Sequence, residues 1–185
     1  MRFTGRMEYG PRALGNRSIL FTTTDKSVND WLNKALRRSE FMPFAPATLR
    51  EKAAKCYKNI KNRLKRAEHM TITFECLNWM RKKSPGVIHV DGTARPQLVS
   101  ERSNPSFYKI LKHYYKLTGI PSLINTSFNM HEEPIVCTPE DALRAFSDSR
   151  LKYLTMANYI ISIERDDALF DPDDFNIETK PKKSF

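Results

Sequence analysis

The chain has 185 residues, 40% of them hydrophobic, and carries a net charge of +10 at neutral pH. That length closes one sizeable core and is too short for two independent domains. No apolar run of about 18 residues and no apolar signal stretch occurs, so the expectation is a cytoplasmic protein that neither enters nor crosses a membrane. Cys56, Cys76 and Cys137 are far apart, and the four histidines lack ligand spacing, which predicts neither a disulfide framework nor a structural metal. The surplus of positive charge favours polyanionic partners: nucleic acid, nucleotide triphosphates or an acidic domain.

In chain order, the glycine- and arginine-rich stretch Gly5 to Ser18 feeds a predicted strand over Ile19–Thr23. Asp25 is the predicted cap of a helix whose apolar stripe is Val28, Trp31, Leu32, Ala35 and Leu36, ending near Phe41 ahead of Pro43. Phe44–Leu49 reads as a strand despite Pro46. Between Glu51 and Arg66, basic residues interleave with Ala53, Tyr57, Ile60 and Leu64 at helical spacing, predicting an amphipathic helix whose basic face is either solvated or a docking surface. Met70–Cys76 alternates like a strand. Val87–Val90 and Gln97–Val99 flank Asp91-Gly92, predicting a bent hairpin. Asn104-Pro105 opens a helix that ends at Gly119, Pro121–Asn125 is a strand, and Thr138-Pro139-Glu140-Asp141 starts a helix running to Ser147. Strands over Tyr153–Thr155 and Tyr159–Ile163 follow. The division is a domain over residues 1–165 and a charged, loose tail over 166–185. The fold class is α/β (α+β): a mixed open sheet with helices packed on it.

Three patches concentrate chemistry. In Gly5–Ser18, glycines allow close backbone approach and Arg6, Arg12 and Arg17 offer forked donors, so it is either an anion-binding loop or a rigid interdomain seam; it is no Walker loop. In His89–Gln97, Arg95 either holds a phosphate or neutralises Asp91. Asn125-Thr126-Ser127-Phe128-Asn129, at a strand end, either meets a ligand with neutral hydrogen bonds or satisfies its own turn.

Together with Phe41-Met42-Pro43-Phe44-Ala45-Pro46 and Glu133-Pro134-Ile135-Val136, these segments resemble, in order and nearly to Ile163, the C-terminal domain of the NodU/CmcH O-carbamoyltransferase family. The resemblance implies a YrdC-like twisted mixed sheet that binds ATP and carbamoyl phosphate. It implies that carbamate, released from carbamoyl phosphate, attacks the α-phosphorus of ATP to give carbamoyl adenylate and pyrophosphate. An actin-like N-terminal domain, absent from this chain and expected to hold iron or another metal, then passes the carbamoyl group to a hydroxyl. ATP is expected as substrate with Mg2+ its companion, and no metal on this domain. Carried over by motif, Arg95 and Ser127 are the catalytic candidates; Arg12 and Arg17 are added on physical grounds as nucleotide or seam contacts. This chain has Leu36 and Met42 where relatives place cations, so Lys34, Arg37 or Arg38 is expected to supply that charge, and Asn125 stands where some relatives have arginine. The alternatives are a basic nucleic-acid-binding module and a silent docking fragment.

Overall fold

The computed structural model of the chain describes residues 1–37 and 43–163. Its strands are β1 (Arg2–Phe3), β2 (Arg17–Phe21), β3 (Ala45–Leu49), β4 (Phe74–Glu75), β5 (Thr93–Ala94), β6 (Gln97–Val99), β7 (Ser122–Ser127), β8 (Tyr153–Met156) and β9 (Tyr159–Ser162). Its helices are α1 (Val28–Ala35), α2 (Ala53–Cys56), α3 (Asn78–Lys83), α4 (Pro105–Thr118) and α5 (Pro139–Asp148). A seven-stranded mixed sheet runs in the order β6-β3-β7-β2-β1-β8-β9, and β4 pairs with β5 apart from it. No described helix is long and apolar enough to cross a membrane.

The period-two alternation of β7 sorts its side chains to two layers. Leu123 joins Ala47, Leu49, Val99 and, from α4, Phe107 and Leu111, while Ile124 faces the larger core with Val28 and Leu32 of α1 and Ala142, Ala145 and Phe146 of α5. Full burial of one such side chain contributes about 1.5–3 kcal/mol, so the sheet is held from both faces. Pro46 is tolerated in the buried β3 for a geometric reason. Leu49 donates to the β7 side, at Pro121 O, so by alternation the nitrogen of Pro46 turns toward β6, whose pairing begins only at Ala47↔Gln97.

The helices with explicit caps lie where expected. Asn104 accepts from Phe107 N ahead of Pro105, and α4 stops at Gly119 with φ 74°, a conformation open to glycine. Thr138 and Asp141 close a reciprocal capping box on α5. At α1 the capping position is Ser27, and Asp25 instead accepts from Ser27 N at 2.8 Å in the preceding turn. The α-helical span ends at Ala35; the stop expected near Phe41, the cation Arg38 and the boundary at residue 165 lie outside the described residues.

Three expectations are corrected. Residues 51–66 are not one helix: 3-10 turns over Arg50–Lys52 and Lys61–Ala67 flank the four-residue α2. The helix breaks because the buried Tyr57 turns extended to bridge Cys76 and sends its hydroxyl to Thr48 Oγ1 at 2.7 Å. Of Met70–Cys76 only Phe74–Glu75 forms a strand. The turn at Asp91-Gly92 exists, with His89 N bonded to Thr93 O, but its arms do not form a hairpin. Pro85–Val87 is a 3-10 turn, β5 pairs with β4, and β6 runs on to lie parallel to β3.

Candidate functional site

The loop between β1 and β2 is organised from inside by Glu8. Its Oε1 accepts from Leu14 N at 2.7 Å, Asn16 N at 2.6 Å and Arg17 N at 3.4 Å. Gly5, Gly10 and Gly15 all have positive φ, which lets the chain wrap this carboxylate. The arginines around the loop then divide into two roles. Arg17 donates to the carbonyls of Thr4, Asn16 and Gly5 and lies 3.6 Å over the Phe3 ring, while the buried Arg2 reaches Gly15 O and Ser106 Oγ. Burial pushes both pKa values down, and Glu8 opposes that fall. Arg17, expected as a nucleotide or seam contact, is therefore a staple of the loop and does not line the cavity that holds Arg12.

Arg12 faces the other way. It shares a cavity of about 510 Å³ with Arg95, Phe44, Asn125, Ser127 and His131. This cavity sits where β7 ends and β3 begins, at one end of the sheet. Arg95 enters from the link between β5 and β6, and its Nε is buried with no acceptor among the described residues. Burial lowers the Arg95 pKa and the nearby positive charge of Arg12 lowers it further. Two guanidiniums that feel each other's charge, neither in a described ion pair, favour an anion in that space. Asp91 does not neutralise Arg95: its Oδ1 takes Thr93 N at 2.9 Å and Thr93 Oγ1 at 2.7 Å.

The Asn125 side-chain nitrogen is committed to the scaffold, while the buried Oδ1 of the same amide has no partner among the described residues. Its Nδ2 donates to Ala13 O at 3.1 Å and Gln97 Oε1 at 2.7 Å, and Gln97 Nε2 donates to Leu14 O at 2.8 Å. The pair ties the segment beside Arg12 to the sheet. Ser127 Oγ donates to Asn129 Oδ1 at 2.6 Å, and Asn129 is oriented by its own bond to Glu133 O at 2.8 Å. The hydroxyl therefore presents lone pairs, not its hydrogen, to a ligand. Lys34 and Arg37 are exposed and do not line the cavity.

On the opposite wall stand His131, Glu132 and Glu133. Glu133 is bonded to Arg144 Nη1 at 2.7 Å, while the Glu132 side chain is open to solvent and His131 Nε2 lies 3.7 Å from it. A second cleft of about 990 Å³, holding Asn29, Arg81, His89 and Asp91, shares Pro43 and Phe44 with the first. The His89 pKa is lowered by burial and by Arg95, with Asp91 opposing. The residue reading missed Glu8 and Gln97. Glu8 carried a signal, being the sole acid in a loop rich in arginine; Gln97 carried none, because its role depends on a contact far along the chain.

The family described as "Carbamoyltransferase C-terminus" matches residues 1–163. An uncharacterized protein of Methanocaldococcus jannaschii is 42% identical over 161 residues, covering 86% of this chain and 26% of its own length. Nodulation protein NolNO of Sinorhizobium fredii is 38% identical over 158 residues, 85% of this chain and 23% of its own. Nodulation protein U of Azorhizobium caulinodans is 40% identical over 125 residues, 68% and 22% respectively. The chain thus spans about a quarter of the length of these relatives.

Proposed function

The chain belongs to the carbamoyltransferase C-terminus family, and from that membership we propose that its arginine-walled cavity binds ATP and carbamoyl phosphate and forms carbamoyl adenylate. In this reading the remainder of a longer protein, an actin-like domain, transfers the carbamoyl group to a hydroxyl acceptor. The observation that carries the proposal is the meeting of Arg12 and Arg95 in one cavity with neither in a described ion pair.

The chemistry asks for such a pair. Water cleaves carbamoyl phosphate to carbamate and phosphate; a carbamate oxygen then bonds to the α-phosphorus of ATP as the bond to the departing pyrophosphate breaks. Carbamate is an anion approaching a polyanion, so the transition state gathers charge on phosphate oxygens that fixed cations stabilise better than mobile water. Arg95, half-buried, acts in a medium less polar than water. Arg12 meets the same charge from the exposed side, on the loop that Asn125 and Gln97 hold in place. Ser127, its hydrogen given to Asn129, suits an N–H of the carbamoyl group. Glu132, a carboxylate on the cavity wall, would be the residue to meet a magnesium ion carried in on the triphosphate. The adjoining cleft behind Pro43 and Phe44 offers room for the nucleoside.

Calorimetric titration with ATP tests the site. Charge-assisted hydrogen bonds contribute about 1.5–3 kcal/mol, so Arg95→Ala and Arg12→Ala should each weaken ATP binding by about 10- to 100-fold. Arg17→Lys, at the loop staple, should act through stability and not through a missing phosphate contact. Equal affinity in wild type and Arg95→Ala would sink the assignment.

A further inference from the structure

The far end of the sheet carries a second cationic feature that the nucleotide site does not use. A cleft of about 290 Å³ is lined by Arg50, Lys65 and Arg102, with Ser100, Ser103 and a single carboxylate, Glu68. Glu68 meets Arg50 only at 3.9 Å. Arg50 Nε is buried with no acceptor among the described residues, and no described carboxylate pairs with Lys65 or Arg102. Three cations against one acid leave the lining of this cleft net positive.

The complementary charge lies elsewhere in the same chain. Residues 164–178 hold seven carboxylates and one cation, Arg165, and residues 171–174 alone supply Asp171, Asp173 and Asp174. Strand directions say which end of the sheet this segment leaves from. β9 is antiparallel to β8, β8 parallel to β1, β1 antiparallel to β2, β2 antiparallel to β7, and β7 antiparallel to β3. β9 and β3 therefore point the same way, so the chain departs after Ser162 at the end where Leu49 passes into Arg50. The arginine-walled cavity, at Ala45 and Ser127, is at the opposite end.

We propose that the acidic segment around Asp171–Asp174 docks in the Arg50–Lys65–Arg102 cleft of its own chain. The reach suffices. Five or six strand spacings from β9 to β3 and β6 amount to roughly 25–30 Å, and about ten extended residues span roughly 33–36 Å. The cleft is built from the irregular segment after β3 together with the turn after β6, so the docked acids clamp together two stretches that share few main-chain bonds. Because the cavity opens at the other end, the clamp does not close the nucleotide site. The inference stands independently of the ATP reading.

Zero-length carbodiimide cross-linking of the full chain, which joins a carboxylate to a lysine amine, reads the contact directly. At low ionic strength, links from the Asp171–Asp174 peptide should fall on Lys65 about tenfold more often than on the exposed Lys82 or Lys83 of α3. Molar salt should abolish that preference by screening. Arg50→Ser with Arg102→Ser, which leave Lys65 in place, should reduce it about tenfold. Links spread evenly over Lys65, Lys82 and Lys83, links unchanged in the double variant, or links found only between isotopically distinct copies would each overturn the proposal.

Discussion

Glu8 shows how one side chain prepares a site without touching its ligand. A carboxylate oxygen that gathers the amides of Leu14, Asn16 and Arg17 fixes the loop from below, and Arg12 projects from that loop into the cavity. Glu8→Ala strands amides that are partly shielded from water, each unmade bond costing about 1–3 kcal/mol, so the variant should lose about 2–4 kcal/mol in urea unfolding. At a temperature where it remains folded, it should also bind ATP as weakly as Arg12→Ala does. Glu8→Gln keeps an acceptor oxygen and should recover most of the affinity. A variant that is destabilised yet binds ATP as wild type would show that the loop does not need this anchor to present Arg12. Asn125 belongs to the same scale. Its amide nitrogen holds Ala13 and Gln97, so this neutral side chain acts by positioning the loop that carries Arg12.

Elements were legible in the sequence where their ends carry their own chemistry. Asn104-Pro105 with Gly119, and Thr138-Pro139 with Asp141, state the start or stop of α4 and α5 in local residues, and both helices lie within a residue or so of expectation. Thr138→Ala should remove the cap for about 1 kcal/mol, a fall of about 2–4 °C in melting temperature for a domain of this size; no shift would mean that the packing of Phe146 alone holds the helix. The segment 51–66 misled for the opposite reason. Its helical period is real, but a buried Tyr57 hydroxyl bonded to Thr48 and a main-chain bridge to Cys76 outweigh the propensity of a short basic stretch. Likewise, Gln97–Val99 carried no sign that its partner would be β3 and not the strand just before it. At the candidate site, residue type and motif picked out Arg12, Arg95, Asn125 and Ser127, which the fold brings together, and also Arg17, which it turns inward. Two arginines in one loop look alike until the position of Phe3 and the carbonyls of Thr4 and Gly5 is known.

At the scale of the whole molecule, the sheet joins the two ends of the described chain. β1 lies between β2 and β8, and the amine of Met1 donates to Tyr153 O at 2.7 Å, extending the parallel ladder by one bond. β8 reaches the core through Leu154, which is fully buried in one cluster with Phe3 of β1 and Phe146 of α5. Leu154→Ala should therefore cost about 2–5 kcal/mol, seen as a lower midpoint of a single transition in urea unfolding. A variant as stable as wild type would show that β8 adds nothing to the core that the rest of the sheet does not already supply.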